Sequence, residues 1–176
     1  MRSAAVYLFI LSLFLFSCKH GQRQLIVGKW QAVKSESPSM DSFFANSKAF
    51  IDTIGNNKDD ATNMKLYGTT NTDSVRQLLQ LQYDSAKSMQ MTQVLNTSFN
   101  FRQDSVVVIS FGGALDSSKY HFNDKKQLVM AEMNNTNPMP GDTLVLDVLA
   151  LTDTNLILKF ELNGSSSKVT FHRETK

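Results

Sequence analysis

Ser98-Phe99-Asn100-Phe101-Arg102-Gln103-Asp104-Ser105-Val106-Val107-Val108-Ile109-Ser110-Phe111-Gly112-Gly113 decides the fold. Phe99 and Phe101 alternate with polar residues, the period of a half-buried strand. Gln103-Asp104-Ser105 is turn chemistry, and a β-branched run from Val106 to Phe111 follows. Gly112-Gly113 marks the next tight turn. One hairpin followed at once by another turn predicts a meander of antiparallel strands.

The same reading extends to the C-terminus. Lys119-Tyr120-His121-Phe122 pairs with Gln127 to Ala131 across Asn123-Asp124-Lys125. Residues 134–141, with two prolines, read as a longer loop. Strands are expected over Leu144 to Leu151, Leu156 to Leu162 and Val169 to Arg173, with turns at Thr152-Asp153 and Asn163-Gly164-Ser165. Leu25 to Val33 supplies one more strand at the front, making eight. Closing eight strands up-and-down removes every free edge and leaves an interior sized for side chains or one small ligand. No long crossover favours a two-sheet sandwich.

Between the first strand and the rest the period changes. Phe43, Phe44, Phe50, Ile51 and Ile54 recur at helical spacing from Asp41, and Gly55 ends that run. Residues 56–71 read as loop. A longer helix is predicted over Asp73 to Leu95, capped by Thr72 or Asp73. The expected architecture is mainly β, an eight-stranded antiparallel up-and-down barrel with a helical insertion over residues 38–95.

The N-terminus carries a different signal. Ala4 to Phe16 is apolar except for Ser12, shorter than the ~20 residues a bilayer-spanning helix needs. With Arg2 ahead of it, this is the pattern of a secretory signal. It closes on Leu15-Phe16-Ser17-Cys18, and Cys18 is the single cysteine of the chain. One cysteine forms no internal disulfide.

These residues resemble the bacterial lipobox. The resemblance implies cleavage after residue 17, a diacylglycerol thioether on Cys18, and membrane attachment through that group. Residues 1–17 would be the signal peptide, 18–24 a lipidated tether and 25–176 the barrel domain. Lys19, rather than an aspartate, follows the cysteine. The expected location is the outer membrane, lipid-anchored and facing the periplasm.

A second resemblance rests on Gly28-Lys29-Trp30, on Phe99 to Asp104 after a helix, on Leu151 to Leu158, and on the closing Val169-Thr170-Phe171-His172-Arg173. These look like the lipocalin-like (calycin) domain of small bacterial lipoproteins, over about residues 25–34 and 96–174. The resemblance implies that Trp30 closes the barrel floor and that Arg173 packs across it as a cation–π contact. Gly28 belongs to the same signature. The insertion departs from the family pattern, and its helices would cap or plug one end.

Charge and composition narrow the function. Lys plus Arg number 18 and Asp plus Glu 16, with no basic stripe, which argues against a nucleic-acid partner. His20, His121 and His172 stand apart, with no third ligand for zinc, so no metal or cofactor is expected. No Gly-x-Ser-x-Gly elbow or phosphate-cradling loop is present, and no enzymatic activity is expected. The apolar strand faces nominate Phe99, Phe101, Tyr120, Phe122, Leu146 and Leu158 as the lining of a pocket for a small apolar ligand. Arg102 and Asp147 are the charged groups on otherwise apolar strands that could orient one. The alternative is a filled barrel serving as an interaction module for an envelope protein through the insertion; exposed Phe43, Phe44, Met89 or Met91 would favour it. Asp-Ser/Thr-apolar triplets at Asp52, Asp73, Asp84, Asp104 and Asp142 resemble an O-glycosylation motif of some Gram-negative secretory pathways, and also make ordinary caps and turns.

Overall fold

The computed structural model describes residues 21–56, 59–132, 143–162 and 164–175. Cys18, His20 and the proline-containing loop lie outside them. The elements run in the order α1 (Gln22–Ile26), β1 (Gly28–Glu36), α2 (Pro38–Thr53), α3 (Asp60–Tyr67), α4 (Thr72–Leu95), β2 (Ser98–Phe101), β3 (Val106–Phe111), β4 (Ala114–Phe122), β5 (Leu128–Glu132), β6 (Thr143–Leu151), β7 (Asn155–Leu162) and β8 (Ser165–Arg173).

The eight strands form a closed barrel in sequence order, each antiparallel to the next, with β8 returning to β1. Helix α1 precedes the barrel, and α2, α3 and α4 lie between β1 and β2. The described elements of floor, barrel and insertion lie within residues 22–173.

Register follows from the alternation. Trp30 pairs with Phe99 on one side and Arg173 on the other, and Ala32 pairs with Phe171. Leu128 faces Leu146, Met130 faces Leu144, and Leu156 faces Phe171. One residue of slip would turn these apolar sets outward. The register shifts between Ala32 and Lys34, a bulge at Val33 that returns Ser35 to the face of Val169.

Several boundaries differ from the sequence expectation. Leu25 and Ile26 belong to a short helix, and the first strand begins at Gly28. Their apolar character serves the barrel floor rather than a ladder. The first insertion helix starts at Pro38, whose fixed φ suits a first helical turn. Residues 60–67 form a helix where loop was expected, because Asp59 accepts from the backbone N–H of Ala61 and Thr62 and Gly68 ends it in the left-handed region. The α4 cap is Asn71, accepting from Ser74 N–H. Strand β4 resumes directly at Ala114, since Gly112 and Gly113 both hold positive φ (57° and 91°), the conformation of a two-residue hairpin turn. Polar Ser165 to Lys168 are strand because Leu162 to Lys159 hold them in the ladder.

The insertion packs on itself and on β1. Phe44 and Tyr83 meet edge to face at 5.6 Å, joining α2 to α4. Arg76 Nε donates to Ile54 O at 3.0 Å, satisfying a carbonyl past the end of α2. Gln31 Nε2 donates to Thr97 O at 2.9 Å and Ala32 N to the same oxygen at 2.9 Å, fixing the exit of α4 to β1. No α4 residue is fully buried.

Candidate functional site

The two ends of the barrel differ. At the closed end, α1 lies across the floor with Ile26 fully buried. Trp30 Nε1 donates to Ile26 O at 2.7 Å, so the indole is fully buried with its one polar atom paired. The Arg173 guanidinium lies over that indole, its central carbon 4.2 Å from the ring centroid. It also donates to Val27 O and Asp153 O, each at 2.6 Å, and to Leu25 O. One side chain therefore ties β8 to the C-terminal end of α1 and to the turn between β6 and β7. Gly28 makes this possible: its φ is +135°, and a Cβ there would lie 2.3 Å from Arg173 Nη1.

Above the floor the interior is packed. Phe101, Val107, Leu128, Leu146, Leu156 and Leu158 are all at most 1% exposed. Each such apolar side chain contributes about 1.5–3 kcal/mol relative to exposure. Phe101 meets Tyr120 edge to face at 5.0 Å, and Tyr120 Oη donates to Arg102 O at 2.8 Å. Burial pushes the Tyr120 phenol up from its ordinary value; Arg23 opposes the shift and Asp104 reinforces it.

Packing stops at Phe99 and Phe171. Their rings stack at 4.9 Å between centroids and form the bottom of a cavity of about 600 Å³ in the other half of the barrel. Its walls are Ala32 on β1, Ile109 and Phe111 on β3, Met130 on β5, Leu144 on β6, Phe160 on β7 and Val169 on β8. Met40 from α2 and Gln90, Gln93 and Val94 from α4 complete it, so the insertion roofs part of the mouth. Among the described residues no charged side chain lines it; the polar groups are hydroxyls and amides from Ser35, Gln90, Gln93, Thr97 and Ser167. The rim exposes apolar surface, with Phe111 60% and Leu144 43% accessible. A concave apolar space with a few polar groups is the ordinary form of a small-molecule site.

Of the six side chains nominated from sequence, Phe99 lines this cavity. Phe101, Tyr120, Leu146 and Leu158 belong to the packed half, and Phe122 is half-buried against the same cluster. Trp30, Gly28 and Arg173 come together at the floor as described. Arg102 pairs with Asp104 at 2.8 Å, and Asp147 accepts from Gln127 Nε2 at 2.7 Å. Neither charged group lines the cavity. His121 and His172 are exposed on separate strands. Among the described residues, no group of three or more His, Cys, Asp or Glu could hold a metal, and no helix is long and apolar enough to cross a membrane.

Phe111, Leu144, Phe160 and Val169 were not among the nominated lining residues, although Leu144 and Phe160 alternate in step with the nominated Leu146 and Leu158. The contribution of Gln90 and Val94 carried no sequence signal beyond the helical stripe itself.

The eight-stranded antiparallel barrel fits a calycin-like fold. No family model matches the chain. No curated protein matches it. Among solved structures, the chain is similar to a DUF4847 family protein from Bacteroides vulgatus, determined at 1.00 Å, at 10% identity and a TM-score of 0.41, with 88% of this chain and 98% of that one covered.

Proposed function

We propose that this chain is a lipid-anchored, non-enzymatic lipocalin-like protein of the cell envelope that holds a small apolar ligand in the open half of its barrel. The carrying observation is the cavity of about 600 Å³ above the Phe99–Phe171 stack, lined almost wholly by apolar atoms. Its size falls within the roughly 300–1,000 Å³ of small-molecule sites. The Trp30–Arg173 floor supports the lipocalin-like assignment. The test is titration with an environment-sensitive apolar fluorophore. Saturable, one-to-one enhancement that an unlabelled apolar competitor reverses is expected; a linear, unsaturated signal would refute binding.

The anchor rests on Leu15-Phe16-Ser17-Cys18. Its expected site is the periplasmic face of the outer membrane. Two acyl chains hold a protein far more firmly than one. The full chain is expected in the membrane fraction with acyl mass on Cys18, and Cys18→Ser in the soluble fraction or retained as uncleaved precursor. Mature protein with an unmodified Cys18 would exclude the anchor.

A second reading is favoured by a separate observation. Phe43, Met89 and Met91 are 59%, 62% and 58% exposed on the insertion, whereas Phe44 is buried. Exposed apolar groups of this kind mark partner surfaces. Crosslinking from Met89 in intact cells tests it: one reproducible envelope partner supports an interaction role, and diffuse labelling opposes it.

A further inference from the structure

The insertion builds a second cavity that the barrel alone would lack. It measures about 490 Å³ and lies between β1, α2 and α4. It shares Ser35, Gln90 and Val94 with the mouth cavity, and both open to solvent.

The chemistry of the two is different. Among the described residues, the mouth cavity has no charged side chain in its lining. The second is lined by Lys34, Asp41, Tyr83 and Lys87. Lys34 is already engaged by Glu36 at 2.7 Å. Lys87 lies over the Tyr83 ring at 5.9 Å from its centroid and makes no ion pair among the described residues. Asp41, in the first turn of α2, makes none there either. A cation on α4 and an anion on α2 thus border one cleft, each without a charged protein partner among the described residues.

We propose that the two cavities form a single site for a one-chain amphiphile. The apolar chain fills the barrel mouth, and a zwitterionic head lies between α2 and α4. The anionic group of the head meets Lys87 and the cationic group meets Asp41. The proposal rests on the ligand-binding reading of the mouth cavity. A charged head cannot sit in the mouth itself, where hydroxyls and amides would leave its charge unpaired at a large desolvation cost. At the Ser35–Gln90–Val94 ridge it meets hydrated, charged surroundings instead. A purely anionic head would face Asp41 as well as Lys87. A neutral head would form an ion pair with neither side chain.

The test uses the chain from Lys19 onward, which retains every described element. Two probes with the same acyl chain, a lysophosphatidylethanolamine and a monoacylglycerol, compete below their micellar concentrations against a bound apolar fluorophore. The zwitterion is expected to bind about fivefold more tightly, the scale of a partly exposed ion pair. Lys87→Met and Asp41→Asn should each lower zwitterion affinity toward that of the monoacylglycerol and leave monoacylglycerol binding unchanged. Both positions border solvent-open space, and circular dichroism verifies that the variants fold. Equal binding of the two probes, or a preference that survives both substitutions, would overturn the head-group assignment while leaving the apolar cavity standing. Binding of neither probe, with no fluorophore uptake, would remove the cavity reading and this proposal with it.

Discussion

Arg173 covers Trp30: the guanidinium carbon stands 4.2 Å from the indole centroid while its nitrogens donate to Leu25, Val27 and Asp153 carbonyls. The pair closes the barrel at one end and fixes which end remains open. Arg173→Met keeps the stem but loses the stacking cation and the forked donors. The expected cost is about 2–4 kcal/mol, from one cation–π contact plus carbonyls left unsatisfied. Arg173→Lys should recover little of it, because an ammonium cannot reproduce the planar fork. Trp30 is the sole tryptophan, so its emission in a urea titration reports the floor directly. Equal midpoints for wild type and Arg173→Met would refute the role.

Gly28 and Arg173 should be energetically coupled. Gly28→Ala places a Cβ 2.3 Å from Nη1 at a φ of +135°. The strained backbone alone costs of order 1–3 kcal/mol. In an Arg173→Met background the clash is gone, so the Gly28→Ala penalty should shrink by at least about 0.5 kcal/mol. Strict additivity in a double-mutant cycle would mean that the guanidinium is not what excludes a side chain at Gly28.

Filling the mouth should abolish binding and spare the fold. Ile109 is half-buried, lines the cavity and lies on β3 opposite Phe99. Ile109→Trp projects a larger ring into existing empty space, so its cost should stay at or below the usual ~1–3 kcal/mol of overpacking. Apolar-probe affinity should fall at least tenfold. A matched enlargement below the Phe99–Phe171 stack, Val107→Phe, should instead destabilise the barrel, because Val107 is fully buried.

The acid limb of stability should carry the mark of Glu36. Its carboxylate lies 2.6 Å from Lys168 Nζ and 2.7 Å from Lys34 Nζ. Those hydrogen bonds, Lys168 first, hold its pKa at about 2 against an ordinary 4.5. Because the folded value is the lower one, the stabilisation is complete above pH 4.5 and is lost as pH falls toward about 2. The pair is exposed, so the effect is modest and weakens in salt. The difference in urea midpoint between wild type and Glu36→Gln should therefore narrow from pH 6 to pH 2.5. A constant difference across that range would contradict the assignment.

Strand faces were legible in the sequence, and height within the barrel was not. Alternation assigned Phe99, Phe101, Tyr120, Leu146 and Leu158 to the interior, where they are buried. It carries no information on which end is packed. That follows from register, from the bulge at Val33, and from a floor helix whose Leu25 and Ile26 look like strand residues by composition. The signature at Gly28, Trp30 and Arg173 was readable because its geometry depends on residue type: an absent Cβ, an indole and a forked cation. Lys87 and Asp41 gave no signal, since their bordering one cleft depends on how α2 and α4 pack, and charged residues on helices are commonplace. The helix at 60–67 was hidden for a local reason: it is short, its one buried residue is the polar Asn63, and it is held by the Asp59 cap rather than an apolar stripe.

The most direct test of the ligand-binding barrel is native mass spectrometry of the chain from Lys19 onward, gently purified from the periplasm, alongside Ile109→Trp. The account predicts a mass excess on the wild-type protein that disappears on denaturation and is missing from the folded variant, and that excess identifies the ligand class. An apo mass for the wild-type protein even after incubation with excess apolar amphiphile, or an equal excess on Ile109→Trp, would contradict it.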